Sequence, residues 1–156
     1  MKNASSALAL LAVLSFSSAA DAKEATAVMQ MTNYEGRPAY LAVYLVNSQG
    51  RYEATLWVSG KDRTYYPYLD RWWRYLSRAP QELDAMTGAS AGAGDRVSMK
   101  FDLKDDWLDK GYSIRVESSV EGLHTNAQDV VYELKTETSG GRIEGTGYVR
   151  NLRIRW

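Results

Sequence analysis

The chain has 156 residues with 19 basic and 19 acidic side chains, so its formal net charge is zero; that balance favours neither nucleic acid nor an anionic membrane surface as a partner. It has no cysteine and one histidine, which excludes disulfide staples, thiolate nucleophiles, iron–sulfur ligation and zinc sites built on cysteine or several imidazoles. Eleven tyrosines and five tryptophans stand against two phenylalanines. Such rings suit half-exposed surfaces and binding sites, although β proteins in general use many of them.

Lys2 gives a short basic start, residues 7–14 are an apolar run, and Ala20-Asp21-Ala22 is a small-residue cleavage pattern. Residues 1–22 therefore read as a secretory signal peptide cut before Lys23. The run is too short for a permanent membrane span, and no cysteine near the cut offers a lipid attachment point. Residues 23–156, about 134 in number, suit one exported domain whose stability rests on core burial.

Residues 25–31 form a first expected strand, bounded by Thr32-Asn33-Tyr34-Glu35-Gly36. Residues 38–46 give the clearest one. Leu41, Val43 and Leu45 face one way and Tyr40, Ala42, Tyr44 and Val46 the other, so both faces are covered. Asn47-Ser48-Gln49-Gly50 predicts a hairpin loop with Gly50 at positive φ. Residues 51–58 return, with Tyr52, Ala54, Leu56 and Val58 on one face and a more polar opposite face of Arg51, Glu53, Thr55 and Trp57. Leu69, Trp72, Trp73 and Leu76 then recur at the spacing of one helix face, with Pro67 in the first turn and Pro80 forbidding continuation. A short amphipathic helix after a hairpin is expected to lid an open end of a β core, or to supply aromatic walls to a cleft.

The segment Asp84-Ala85-Met86-Thr87-Gly88-Ala89-Ser90 follows. Small residues, a hydroxyl and a carboxylate meet there, with Gly88 expected to permit backbone angles that other residues resist. Read on residues alone it is a Gly/Ala-rich turn, since Gly92 and Gly94 come next. Beyond it, residues 96–103 alternate, with Val97, Met99, Phe101 and Leu103 inward. Residues 112–118, 128–135 and 147–156 complete the strands, with Trp156 tying in the last. Residues 96–103 and 112–118 are expected to form a hairpin, the Asp-rich turn between them closed by Gly111 and Tyr112 as in bacterial Ig-like domains. Asp102, Asp105, Asp106 and Asp109 offer calcium-type oxygens without an EF-hand loop, so turn capping is the favoured role.

Little here supports intrinsic hydrolysis. His124 has no nucleophile elbow to serve, no Walker loop or dinucleotide fingerprint occurs, and Glu117 and Glu121 straddle a strand end. The fold class is all-β, an antiparallel Ig-like β-sandwich of about seven strands with one short helix.

The pattern Asp84-x-x-Thr87-Gly88-Ala89-Ser90 resembles the acceptor site of extracytoplasmic flavoproteins, on which a FAD:protein FMN transferase esterifies FMN to a final Thr or Ser. More widely, Pro38-Ala39-Tyr40-Leu41-Ala42-Val43-Tyr44, Thr55-Leu56-Trp57, Tyr68-Leu69-x-x-Trp72-Trp73-Arg74 and Gly111-Tyr112-Ser113-Ile114-Arg115-Val116-Glu117 resemble an uncharacterised family of small predicted periplasmic proteins. Members of that family occur beside PepSY-domain membrane proteins and the transferase. The chain departs from the pattern with Ser at the acceptor position, where Thr is favoured, and with Ala91-Gly92 where Arg-Pro is common. The resemblance implies periplasmic location, covalent FMN on Ser90, a motif of Asp84, Thr87, Gly88 and Ala89, and electron transfer with a membrane redox partner. Trp72 and Trp73 would shield the isoalloxazine, with Arg71, Arg74 or Arg78 near it. The alternative is a non-enzymatic accessory module for a membrane redox or iron-uptake partner, with the aromatics as its interface.

Overall fold

A computed structural model describes residues 22–60 and 62–156. The expected signal peptide lies outside these, except for Ala22. Among the described residues nine strands build two sheets. They are β1 (Ala22–Met31), β2 (Tyr40–Val46), β3 (Tyr52–Ser59), β4 (Thr87–Gly88), β5 (Arg96–Lys104), β6 (Ser113–Ser119), β7 (Thr125–Glu133), β8 (Arg142–Glu144) and β9 (Val149–Arg155). One sheet has the order β5-β1-β9-β8 and the other β4-β3-β2-β6-β7. Seven strands are long, as expected; β4 and β8 are short additions at sheet edges. The expected sandwich stands. β1 pairs β5 and β9 in one sheet while β2 pairs β3 and β6 in the other, all antiparallel.

Alternation explains the main core. Ala25, Ala27, Met29 and Met31 of β1 meet Leu41, Val43 and Leu45 of β2 and Ile114 and Val116 of β6 between the sheets. β2 is buried on both faces because a second apolar layer covers the outside of its sheet. That layer is α1 (Asp70–Arg78), which seats Leu69, Trp72 and Leu76 on Ala42, Tyr44, Val46 and Val58. The helix therefore roofs a sheet face rather than lidding an open end. It also starts later than expected, because Pro67 sits inside a preceding 3-10 turn, Arg63–Tyr68.

Two further expectations are corrected. β5 and β6 do not form a hairpin: among the described residues β5 pairs only with β1, and the Asp105–Trp107 turn carries the chain across to the other sheet. The polar face expected for β3 holds at the exposed Arg51 and Glu53 but fails at Thr55 and Trp57. The β2–β3 register shifts between Val43 and Tyr44, and this bulge lets both Leu56 and Trp57 enter the main core while Thr55 is buried beneath α1. The aspartates between β5 and β6 separate to different partners. Asp105 pairs with Lys23 at 2.9 Å and Asp106 with Lys110 at 3.2 Å, while Asp109 accepts from Thr136 N and Oγ1.

Glu117 supplies what α1 lacks. The helix has no side-chain cap of its own. Glu117, fully buried on β6, accepts from the amides of Arg71 at 3.0 Å and Trp72 at 2.8 Å, satisfying first-turn donors at the positive end of the helix. Burial pushes its carboxyl above the usual range, and the two amides pull it back. Nearby, the buried Tyr44 hydroxyl has no hydrogen-bond partner among the described residues, and burial pushes it well up. Tyr44→Phe should therefore keep stability or raise it by about 1 kcal/mol in urea unfolding; a loss of about 2 kcal/mol would reveal an unrecognised partner.

Candidate functional site

The site grows from the edge of β3. Gln81 completes that edge with its side chain, accepting from Thr55 N at 2.8 Å and donating to Thr55 O at 3.1 Å. Leu83 anchors the chain in the layer beneath α1. The Asp84–Met86 turn follows, and β4 then runs parallel to β3, with Thr87 opposite Val58 and Gly88 opposite Ser59. Gly60 N donates to Gly88 O at 2.7 Å. Beyond the next two residues the chain is held again, since Ala39 N and the Tyr34 hydroxyl both donate to Ala91 O, at 2.6 and 3.0 Å. Ala89 and Ser90 are thus an exposed crest clamped on either side.

Gly88 is required for a reason other than the expected one. Its φ is not positive; instead a Cβ there would lie 2.4 Å from the Trp57 ring, so only glycine lets the strand lie on that indole. Thr87 Oγ1 donates to Asp84 O at 3.3 Å, and the Asp84 carboxylate meets Arg63 at 3.3 Å on the surface, an exposed pair of small energetic weight.

Two grooves lie near the segment, besides a recess of about 170 Å³ lined by Arg63, Tyr66, Asp84 and Thr87. The smaller of the two, about 230 Å³, meets the chain at Leu83, just before the segment, and is lined by Arg63, Tyr66, Trp73 and Leu76 among others. The larger, about 460 Å³, opens between the edges of β3 and β5 and takes Ala85 and Met86 of the segment together with Leu56, Phe101, Trp107 and Lys100. Lys104 Nζ lies 5.5 Å from the Trp107 ring at its rim. The larger volume falls within the ordinary range of small-molecule sites, roughly 300–1,000 Å³.

Trp73 is half-buried and lines the smaller groove beside Leu83, while Trp72 is fully buried and its indole Nε1 donates to Thr55 Oγ1 at 2.8 Å. It holds the helix down and takes no part in a surface cleft. The cation next to the segment is Arg63, while Arg74 is engaged with Asp70 at 2.7 Å. Sequence reasoning missed Phe101, Trp107, Lys100 and Lys104, because nothing local signals that the β5 edge faces the Met86 turn. His124 is exposed and stacks on Tyr148.

A family model described as predicted periplasmic protein (DUF2271) matches residues 22–151. The chain belongs to this family. The DUF2271 match spans the whole sandwich up to the middle of β9 and includes Ser90 and both grooves, and its description makes the chain a periplasmic protein. Comparison with curated proteins and with solved structures gives no match.

Proposed function

We propose that this periplasmic DUF2271 protein is an electron carrier with FMN esterified to Ser90 by a FAD:protein FMN transferase, and that it exchanges electrons with a membrane redox protein such as a PepSY-domain partner. The observation that carries this reading is the exposed Ala89–Ser90 crest, clamped at Gly88 and Ala91. An outside enzyme needs a reachable hydroxyl on a segment whose shape is already set. In the transfer, Ser90 Oγ attacks the FMN-side phosphorus of FAD; the O–P bond forms, the pyrophosphate P–O bond breaks, AMP leaves, and the hydroxyl proton passes to a base of the transferase.

The residues present fit the group. Leu56, Met86, Phe101 and Trp107 offer apolar and aromatic surface for a flat ring, and Lys104 offers positive charge at a rim where Lys100 is paired with Glu24 at 2.7 Å. Bound flavin supplies one- or two-electron transfer, and the protein's part is to hold it, shield it from water and favour its reduced anion with Lys104.

Co-expression with an active transferase should give a protein band that stays fluorescent after denaturation. Ser90→Ala should abolish that fluorescence and Ser90→Thr should keep it. Fluorescence surviving in Ser90→Ala would place the attachment elsewhere and overturn the assignment.

A second reading has one specific observation behind it. Tyr40, Tyr65 and Tyr68 stack nearly parallel, with centroids 5.2, 6.0 and 6.3 Å apart, and Tyr68 is 45% exposed. Such a plate suits an accessory module that docks on a protein partner.

A further inference from the structure

The outer face of the β5-β1-β9-β8 sheet carries a cationic groove of about 570 Å³ that the flavin reading does not use. Arg96, Arg142, Arg150, Arg153 and Arg155 line it. All five are exposed, and none forms an ion pair with a carboxylate among the described residues. The chain as a whole is neutral, so its charges are segregated here.

Two details distinguish this face from an ordinary solvated surface. Arg142 and Arg153 stand directly opposite each other in the β8–β9 ladder. Like charges in that position repel and destabilise the pair unless an anion lies between them. Arg153 is also fixed, since its Nε donates to Gly140 O at 2.7 Å, leaving the terminal nitrogens of its guanidinium for something else. A register shift where β1 meets β9 adds to the set: Met31 pairs with Val149 and Gln30 with Asn151. The intervening Arg150 thereby lines the groove beside Asn151.

We propose that this groove binds a small polyanion with clustered phosphate groups. Guanidinium forks match phosphate oxygens in bidentate geometry. One singly charged ion answers only one or two of five arginines, whereas an oligophosphate answers several at once. The concavity favours a compact ligand over a flat bilayer, and the inference does not depend on Ser90 being modified.

Tripolyphosphate titrated calorimetrically into the protein at about 0.15 M salt should bind saturably and raise its melting temperature. Arg142→Gln/Arg153→Gln should weaken binding at least about tenfold. The same double variant should melt above the wild type when no anion is present, because the cross-strand repulsion is gone. Arg51→Gln, in the distant β2–β3 turn, should bind as wild type does. Absence of saturable binding would overturn the proposal, as would equal affinity in the double variant. Binding to phosphatidylglycerol vesicles without binding to tripolyphosphate would also overturn it, by making the face a lipid-docking surface instead.

Discussion

Asp129→Ala is expected to cost about 3–5 kcal/mol, the largest loss of any single polar substitution here. Asp129 is buried on β7, and its carboxylate accepts from Ser118 Oγ at 2.5 Å, Gly147 N at 2.7 Å, Val149 N at 2.9 Å and Thr146 N at 3.0 Å. It thereby latches the turn between β8 and β9, in one sheet, to β7 at the edge of the other. Thr146 N keeps a second acceptor in Asp129 O, but Gly147 and Val149 would be left without theirs at about 1–3 kcal/mol each. The packing here is close: a Cβ on Gly147 would fall 2.2 Å from Asn126 Nδ2, so the turn cannot slide to a new set of bonds. For a domain of this size the loss corresponds to a fall in melting temperature of about 10–20 °C. Asp129→Asn should fall between alanine and wild type, since its amide group places a donor against Val149 N or Ser118 Oγ. A melting temperature within about 3 °C of wild type for Asp129→Ala would show that the latch carries no stability.

The two adjacent tryptophans of α1 should behave differently. Trp72→Ala is expected to cost about 3–5 kcal/mol, as for other large-to-small changes at fully buried aromatics. The ring is 0% exposed, meets Tyr66 edge-on at 5.2 Å and bonds Thr55. Trp73→Ala, at a half-buried groove wall, should cost about 1 kcal/mol. Urea midpoints of the two variants test this. Equal losses would mean that the helix does not seat on the sheet through Trp72.

The contrast shows where the sequence was legible. Spacing found the helix face of Leu69, Trp72 and Leu76, a run apolar on both faces found β2, and alternation found β5 and most of β7 and β9, because burial imposes those patterns on neighbouring residues. Spacing alone could not tell Trp72 from Trp73, which differ by a fraction of a helical turn. It also failed where a bulge breaks the period, as at Leu56 and Trp57, and where a strand is short and exposed, as in Arg142-Ile143-Glu144. The β5–β6 hairpin was misjudged because two adjacent strands look alike whether they pair or cross between sheets. The roles of Glu117 and Asp129 went unrecognised because their partners are not local, Trp72 lying 45 positions before Glu117 and Val149 lying 20 positions after Asp129.

In the candidate site, the Asp84–Ser90 segment was legible as a motif, while its setting was not. The need for Gly88 comes from Trp57, thirty-one positions earlier, and the larger groove depends on a β3–β5 neighbourhood that no local pattern announces.

The intact mass of the exported protein, produced with and without the FMN transferase, is the most direct test of the flavin assignment. An FMN-sized increment that requires the transferase and is absent from Ser90→Ala is the expected result. An unmodified mass alongside a transferase that demonstrably modifies another substrate would contradict it, leaving the tyrosine plate and the arginine groove as the surfaces through which the protein acts.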